Sequence, residues 1–451
     1  VLLSFRVSNH RSIREEQQLL LARVGEPDDT GTGTNTDGGA VPVAALFGAN
    51  AAGKSNVVDA LHFMAGLVRT SHRDAEPGAG LVRSPFLLDG ESAAVPSWYV
   101  VDLVLDGVRH TYGFGLDDER IRDEWLYRYP GSGRRETVFQ RTGDDIRFGD
   151  GEPRPGLDLV RSITEPNALF LTVAARSRQA EIQPVYTWFM NVRFRAGGAH
   201  GSPDPGSLVR LQDPKRAASV VALLRAADLG IEDIGIDDFD GPEGAADAGE
   251  RLSARGFADR LLRELRRTEL STCLFTTTTA RVWIRQRGRG GSVRLGLEDQ
   301  SQGTRMLFDY AGPVLDTLEQ GGVLIVDEVD ASLHPRLTAH LIKLFQEPET
   351  NPRSAQLLLT THDVSLLGRC GGEEILRRDQ IWFVEKDRHG ESALYPLSDF
   401  EPRGDENRER RYLGGSYGAV PILSDERFEA ALAARGRAAG DGEDAEAEGQ
   451  R

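Results

Sequence analysis

Apolar positions along this chain follow two different periods, and the boundary between them outlines its architecture. Residues 41–47 (VPVAALF) form a short apolar run of strand length, after which Val57, Leu61, Met64 and Val68 recur at the spacing of one helix face. Residues 323–326 (VLIV) form an unbroken β-branched and leucine run, as expected of a parallel strand covered on both faces, and residues 357–359 repeat the pattern. Leu307, Phe308, Ala311 and Leu315 place a helix upstream of that strand.

Elsewhere the period is two. Leu3, Phe5 and Val7 alternate with Ser4, Arg6 and Ser8, and residues 18–22 offer a pairing partner. Residues 98–105 and 108–116 flank Asp106-Gly107, a hairpin signature, and residues 124–129 and 137–141 continue the meander. From 176 to 271 the pattern turns helical, at 214–229 and 257–270, with no sustained heptads; a compact helical insertion is expected there. Residues 281–287 and 292–297, joined by GRGG, make a further hairpin. The expected units are therefore an N-terminal lobe (1–175), the helical insertion (176–271), a C-terminal lobe (272–423) and an acidic tail (424–451). That tail and residues 25–40 are too poor in apolar surface to order themselves.

Composition narrows the function classes. At 451 residues the chain can bury a large core, and no apolar run approaches the roughly 18 residues of a membrane span. With no signal-peptide pattern at its start, it is expected in the cytoplasm and away from membranes. The net charge of -16 argues against nucleic acid coating the whole surface, while local basic groups remain at Arg260, Arg263, Arg266 and Arg267 and at Arg403, Arg408, Arg410 and Arg411. A solvated face is the favoured reading of each, at about two to one, over a site for nucleic acid or a partner. Cys273 and Cys370 are too far apart in sequence for a CxxC metal site, and both are expected to be buried or half-buried thiols.

Four segments carry chemistry. Gly48 to Ser55 reads GANAAGKS, a GxxxxGK[ST] loop between a strand and a helix; Lys54 is one of only four lysines, with Lys215, Lys343 and Lys386. Glycines at 48 and 53 let backbone N–H groups turn toward phosphate oxygens, Lys54 supplies a point charge, and Ser55 offers a hydroxyl to Mg²⁺. Asp327 and Glu328 end the VLIV strand, where α/β sheets bind ligands, so they suit metal orientation and general base. His362 follows the next strand and can sense a γ-phosphate, and Ser301 with Gly303 opens a helix as a second anion site. Taken singly, each segment also has a bland reading as a turn, a strand end or an ordinary helix cap.

In this order the segments resemble the ATPase heads of SMC/RecF-like ABC proteins, particularly the AAA-type members encoded beside bacterial restriction and abortive-infection genes. The likeness extends to SFRVSNHRSI (4–13), SQGTRMLFDYAGP (301–313), VDEVDASLHP (326–335) and RYLGGSYGAVP (411–421). It implies an α/β P-loop NTPase fold with an ABC-type head, an antiparallel β side sheet and a helical insertion. It also implies ATP and Mg²⁺ as cofactors and a homodimer closing on two nucleotides. Gly48, Asn50, Gly53, Lys54, Ser55 and Asn56 would bind nucleotide, Ser55 and Asp327 the metal, and Glu328 and His362 would be catalytic. Ser301 and Gly303 would complete the partner subunit's site, and Asp330 with Ser332 would communicate across the dimer. No glutamine lies between Gln18 and Gln140 to fill the family's metal-contacting position, and Pro85 and Phe86 stand about where that loop is expected. The implied setting is phage defence with a separately encoded nuclease-like effector. A non-hydrolysing ATP-bound scaffold and a RecF-like repair ATPase engaging nucleic acid are the alternatives.

Overall fold

A computed structural model describes residues 1–22, 39–74, 76, 78–131, 133–149, 155–177, 179–196, 204–227, 230–236, 282–331, 333–400, 407–421, 426 and 429. Seven strands form an antiparallel sheet: β1 (Leu2–Ser8), β2 (Gln17–Leu20), β4 (Ser97–Leu105), β5 (Val108–Leu116), β6 (Ile121–Tyr129), β7 (Glu136–Thr142) and β8 (Asp145–Phe148), in the order β2-β1-β4-β5-β6-β7-β8. The β4–β5 turn is the expected one, because Asp106 (φ 49°) and Gly107 (φ 76°) are both left-handed, as a tight hairpin twisted with its strands requires.

The second sheet has six strands in the order β18-β17-β3-β14-β13-β9: β3 (Val43–Phe47), β9 (Val192–Ala196), β13 (Val323–Asp327), β14 (Gln356–Thr360), β17 (Ile381–Lys386) and β18 (Ser392–Pro396). All neighbours are parallel except β17 and β18. Strand β3 is buried throughout and feeds α1 (Lys54–Asp74) through the glycine loop. Its residues alternate between two cores. Ala44 and Leu46 join Ile325, the buried face of α1 and the antiparallel sheet, whereas Val43, Ala45 and Phe47 join Val326 and the opposite helical layer. Burial on both faces explains why these strands are continuous apolar runs.

The first core is closed by α2 (Pro155–Ser162), α3 (Phe170–Ala175) and α4 (Gln183–Met190), and the second by α5 (Pro205–Leu211), α6 (Pro214–Ala226), α7 (Gln302–Gln320), α8 (Pro335–Gln346) and α9 (Arg408–Leu413). Helices α5 and α7 meet closely, where Ser207 Oγ accepts from Gly312 N (2.9 Å) and donates to Phe308 O (2.9 Å). Strands β10 (Ile231–Ile236), β11 (Val282–Gly288) and β12 (Gly291–Gly296) make a small antiparallel sheet, and β15 (Arg369–Cys370) pairs with β16 (Glu373–Glu374).

Three expectations change. The interval 176–271 is not purely helical: β9 extends the central sheet beside β13, and β10 pairs with β11. In β9, Val192 and Phe194 alternate with Arg193 and Arg195, which meet Gln320 and Asp204 only in the folded chain, so the sequence pattern does not mark this strand as core. Cys370 is exposed rather than buried, because it sits in a two-residue strand at the surface. Pro85 and Phe86 adjoin the β1–β2 turn, where the Phe86 backbone N–H binds Asn9 Oδ1 (2.9 Å), whereas the strand that ends beside Asp327 is β9. Residues 25–38, the 257–270 helix with its arginine cluster, Cys273, Ser332, Arg403 and nearly all of the tail lie outside the described residues. Among the described residues no helix is long and apolar enough to cross a membrane.

Candidate nucleotide site

The loop between β3 and α1 is shaped by close backbone packing. A Cβ on Gly48 would stand 2.3 Å from the Val384 carbonyl oxygen on β17, and Gly53 has φ 105°, with Ser392 Oγ where a Cβ would go. Only glycine fits either position without displacement. Ser392 Oγ donates to Ala52 O (2.7 Å) and lies 2.7 Å from Ser12 Oγ, which in turn accepts from Asn56 Nδ2 (2.5 Å). Asn56, expected to meet nucleotide, ties the start of α1 to the β1–β2 turn through its side chain. Asn50 is exposed on the loop, and Ser55 is the second residue of α1.

The same turn is fastened at each residue from 9 to 12. Asn9 Nδ2 reaches Ser92 O and Val95 O (both 2.7 Å), His10 bridges Tyr99 (2.8 Å) and Asp59 (2.9 Å), and Arg11 Nε lies 2.6 Å from Asp59. Burial would raise the Asp59 carboxyl, but hydrogen bonds and charge from His10 and Arg11 hold it below its ordinary value.

Lys54 is buried, and its Nζ donates to Gly48 O (2.8 Å) and Ala49 O (3.1 Å) while lying 3.3 Å from His362 Nδ1. Burial lowers its pKa to about 8, against the opposing charges of Asp330, Glu328 and Asp327. His362 is pushed below its usual value by burial and then by Lys54. Because an ammonium can only donate, Nδ1 accepts and the neutral ring carries its proton on Nε2.

The two acids share one hydroxyl. Thr360 Oγ1, at the end of β14, donates to Asp327 Oδ1 (2.6 Å) and accepts from the Glu328 backbone N–H (2.7 Å). Glu328 is exposed and left-handed (φ 54°), a backbone strain of the kind that collects at functional sites. Asp330 Oδ2 accepts from His362 N (3.0 Å), leaving Oδ1 buried with no partner among the described residues.

Gly48, Gly53, Lys54, Asp327, Glu328, Asp330 and His362 therefore gather at the C-terminal edge of β3, β13 and β14. Ser301 and Gly303 do not join them in the same chain. Ser301 is the exposed N-cap of α7, bonded to Thr304 N (3.2 Å) and Thr304 Oγ1 (2.8 Å). Sequence reasoning missed Thr360, Ser12 and Ser392, whose hydroxyls act only across strand pairs. It also missed Arg195, opposite Val326 in register and 2.9 Å from the buried Asp204. Hard oxygen donors on Ser55 and Asp327, beside a glycine cradle closed to any Cβ, fit Mg²⁺ with a nucleotide phosphate. Among the described residues no cluster of three His, Cys, Asp or Glu could hold a metal without such a ligand.

The glycine loop opening α1, a parallel sheet with carboxylates on the strand next but one, and an antiparallel side sheet define a P-loop NTPase with an ABC-ATPase-like head. The family described as AAA domain, putative AbiEii toxin, Type IV TA system matches residues 43–368, and the chain belongs to it. Among solved structures, the SMC head domain from Thermotoga maritima is similar at 14% identity and a TM-score of 0.40, over 88% of this chain and 98% of that one. An Smc head bound to the C-terminal winged-helix domain of ScpA is similar at 13% identity and 0.44, over 89% and 99%. The Pyrococcus furiosus Smc head with extended coiled coil, bound to the ScpA C-terminal domain, gives 14% and 0.33, over 89% and 97%. No curated protein matches the chain.

Proposed function

We propose that this protein binds and hydrolyses ATP with Mg²⁺, that two copies close on nucleotide, and that the cycle regulates a bacterial anti-phage or toxin–antitoxin response through a separately encoded effector. The single observation that carries the enzymatic part is the convergence of Lys54, His362, Asp327 and Glu328 on one sheet edge. The family's description as AbiEii-like supports the biological setting.

Lys54 would exchange the Gly48 and Ala49 carbonyls for β- and γ-phosphate oxygens, while amides around Gly53 and the α1 terminus hold the rest of the triphosphate. Mg²⁺, held by Ser55 and Asp327, would neutralise phosphate charge as it develops. Glu328, exposed at its strained position, would take the proton of the attacking water, and His362 would offer Nε2–H to the γ-phosphate. Ser301 and Gly303 of the partner subunit would complete the site, so hydrolysis would wait on closure.

The test is ATP turnover and nucleotide-dependent dimerisation of wild type and Glu328→Gln. The variant is expected to bind ATP, lose turnover by about a hundredfold or more, and accumulate as a dimer. ATP binding without turnover in the wild type would instead establish the scaffold reading.

A further inference from the structure

The hairpin of β11 and β12 plays no part in the site above, yet its chemistry is specific. In a chain of net charge -16, residues 282–296 hold Arg285, Arg287, Arg289 and Arg294 and no acid. Arg285 stands directly opposite Arg294 in register, and Arg287 opposite Ser292, so three guanidinium groups share one face while Arg289 sits at the turn. Like charges placed directly across a strand pair cost stability, a cost that the Arg285–Asp233 pair and the stacking of both guanidiniums on Trp283 offset only in part. Strand β12 is exposed nearly throughout and forms one edge of its sheet.

Trp283 organises that face. A Cβ on Gly235 would come within 2.4 Å of its ring, so the indole lies against β10, while the Arg294 guanidinium covers it at 4.0 Å and Arg285 at 5.6 Å. Arg285 also meets Asp233 (2.8 Å), and Arg287 meets Glu232 (2.7 Å). Among the described residues no carboxylate pairs with Arg289 or Arg294.

We propose that this hairpin is an arm that binds the phosphate backbone of double-stranded nucleic acid. Cations on alternate residues of a strand repeat about every 6.6 Å, which suits a periodic polyanion better than a single bound anion. A two-stranded ribbon also fits a major groove about 12 Å wide. Gly288, Gly290 and Gly291 leave Arg289 as the one side chain at the tip, open to close approach. A single strand would need an open aromatic face on which to stack bases, and Trp283 has both faces covered. The arm leads through Leu297–Asp299 into α7, whose start carries Ser301, so an occupied arm would sit on the chain entering the proposed dimer-closing helix.

The experiment measures fluorescence anisotropy of a labelled mixed-sequence duplex of about 20 base pairs with the full chain, as salt rises from about 50 to 200 mM. Wild type is expected to bind with a steep salt dependence. Arg289→Ala/Arg294→Ala should weaken binding roughly tenfold and reduce the log–log salt slope by about two. Glu232→Gln, which frees Arg287, should strengthen binding, and both variants should remain cooperatively folded with ATP binding unchanged. Absence of duplex binding by wild type, an unchanged slope in the double variant, or tighter binding to a single strand or to polyglutamate would overturn the proposal.

Discussion

Replacing Thr360 by valine keeps the volume of a fully buried side chain but removes the one hydroxyl that holds both acids. Two hydrogen bonds disappear. The bond to Asp327 is charge-assisted and is worth about 1.5–3 kcal/mol, and leaving the Glu328 N–H unpaired costs about 1–3 kcal/mol more. Part of this will appear as lost stability. The part that matters for chemistry is orientation, since Glu328 holds φ 54° partly through that bond and Asp327, the acid proposed to hold the metal, is aimed by the other. If about 2–3 kcal/mol reaches the transition state, turnover falls about 30- to 160-fold. The KM for ATP should move little, because Lys54 and the glycine loop are untouched. Phosphate release under saturating ATP and Mg²⁺ measures the effect, and Thr360→Ser, which keeps the hydroxyl, should recover activity to within about threefold of wild type. Wild-type turnover in the valine variant would refute the reasoning. So would equal losses in serine and valine, which would assign the effect to the methyl group and its packing.

Three further outcomes are expected. Gly48→Ala should lower nucleotide affinity at least about tenfold and reduce melting temperature, since its Cβ would press on the Val384 carbonyl; isothermal titration and thermal unfolding read both. Ser392→Ala, which unpins the loop at Ala52 O, should weaken ATP binding by about 1 kcal/mol, or roughly fivefold, in the same titration. Asp309, on α7, is raised to about 6 by burial from an ordinary 3.8, so the folded protein holds its proton more tightly than the unfolded chain. Its stabilising contribution is complete in acid and is lost as pH rises from about 4 through about 6; Asp309→Asn, which keeps an acceptor for Asp204 N, should be more stable by up to about 3 kcal/mol at pH 7.5, with the advantage shrinking toward pH 5 in urea unfolding.

The parts of this molecule that could be read from the chain are those whose cause is local. The β3–loop–α1 unit follows from an apolar run, two glycines and a helix-spaced stripe within about thirty residues. The β4–β5 hairpin follows from one dipeptide able to take positive φ twice. Strand β9 has no comparable local mark. VRFRA alternates apolar residues with arginine, and its identity as the neighbour of β13 depends on a partner far along the chain and on acids such as Asp204 and Gln320-side contacts that neutralise or bind its guanidiniums.

Thr360 shows the same limit at the site itself. In sequence it is one of two threonines before His362, indistinguishable from Thr361. Only the parallel register, with Val326 beside Leu359, turns its hydroxyl toward Asp327 and the N–H of Glu328. The residue types of the proposed chemistry are thus legible as motifs, but their aim is set by the neighbouring strand, whose backbone oxygen at Thr360 also receives Val329 N–H (3.1 Å) just past the strained Glu328. Glu328, the proposed base, is held from one strand away, so small shifts between β13 and β14 would reposition it, whereas a side chain fixed within its own strand would not move with them.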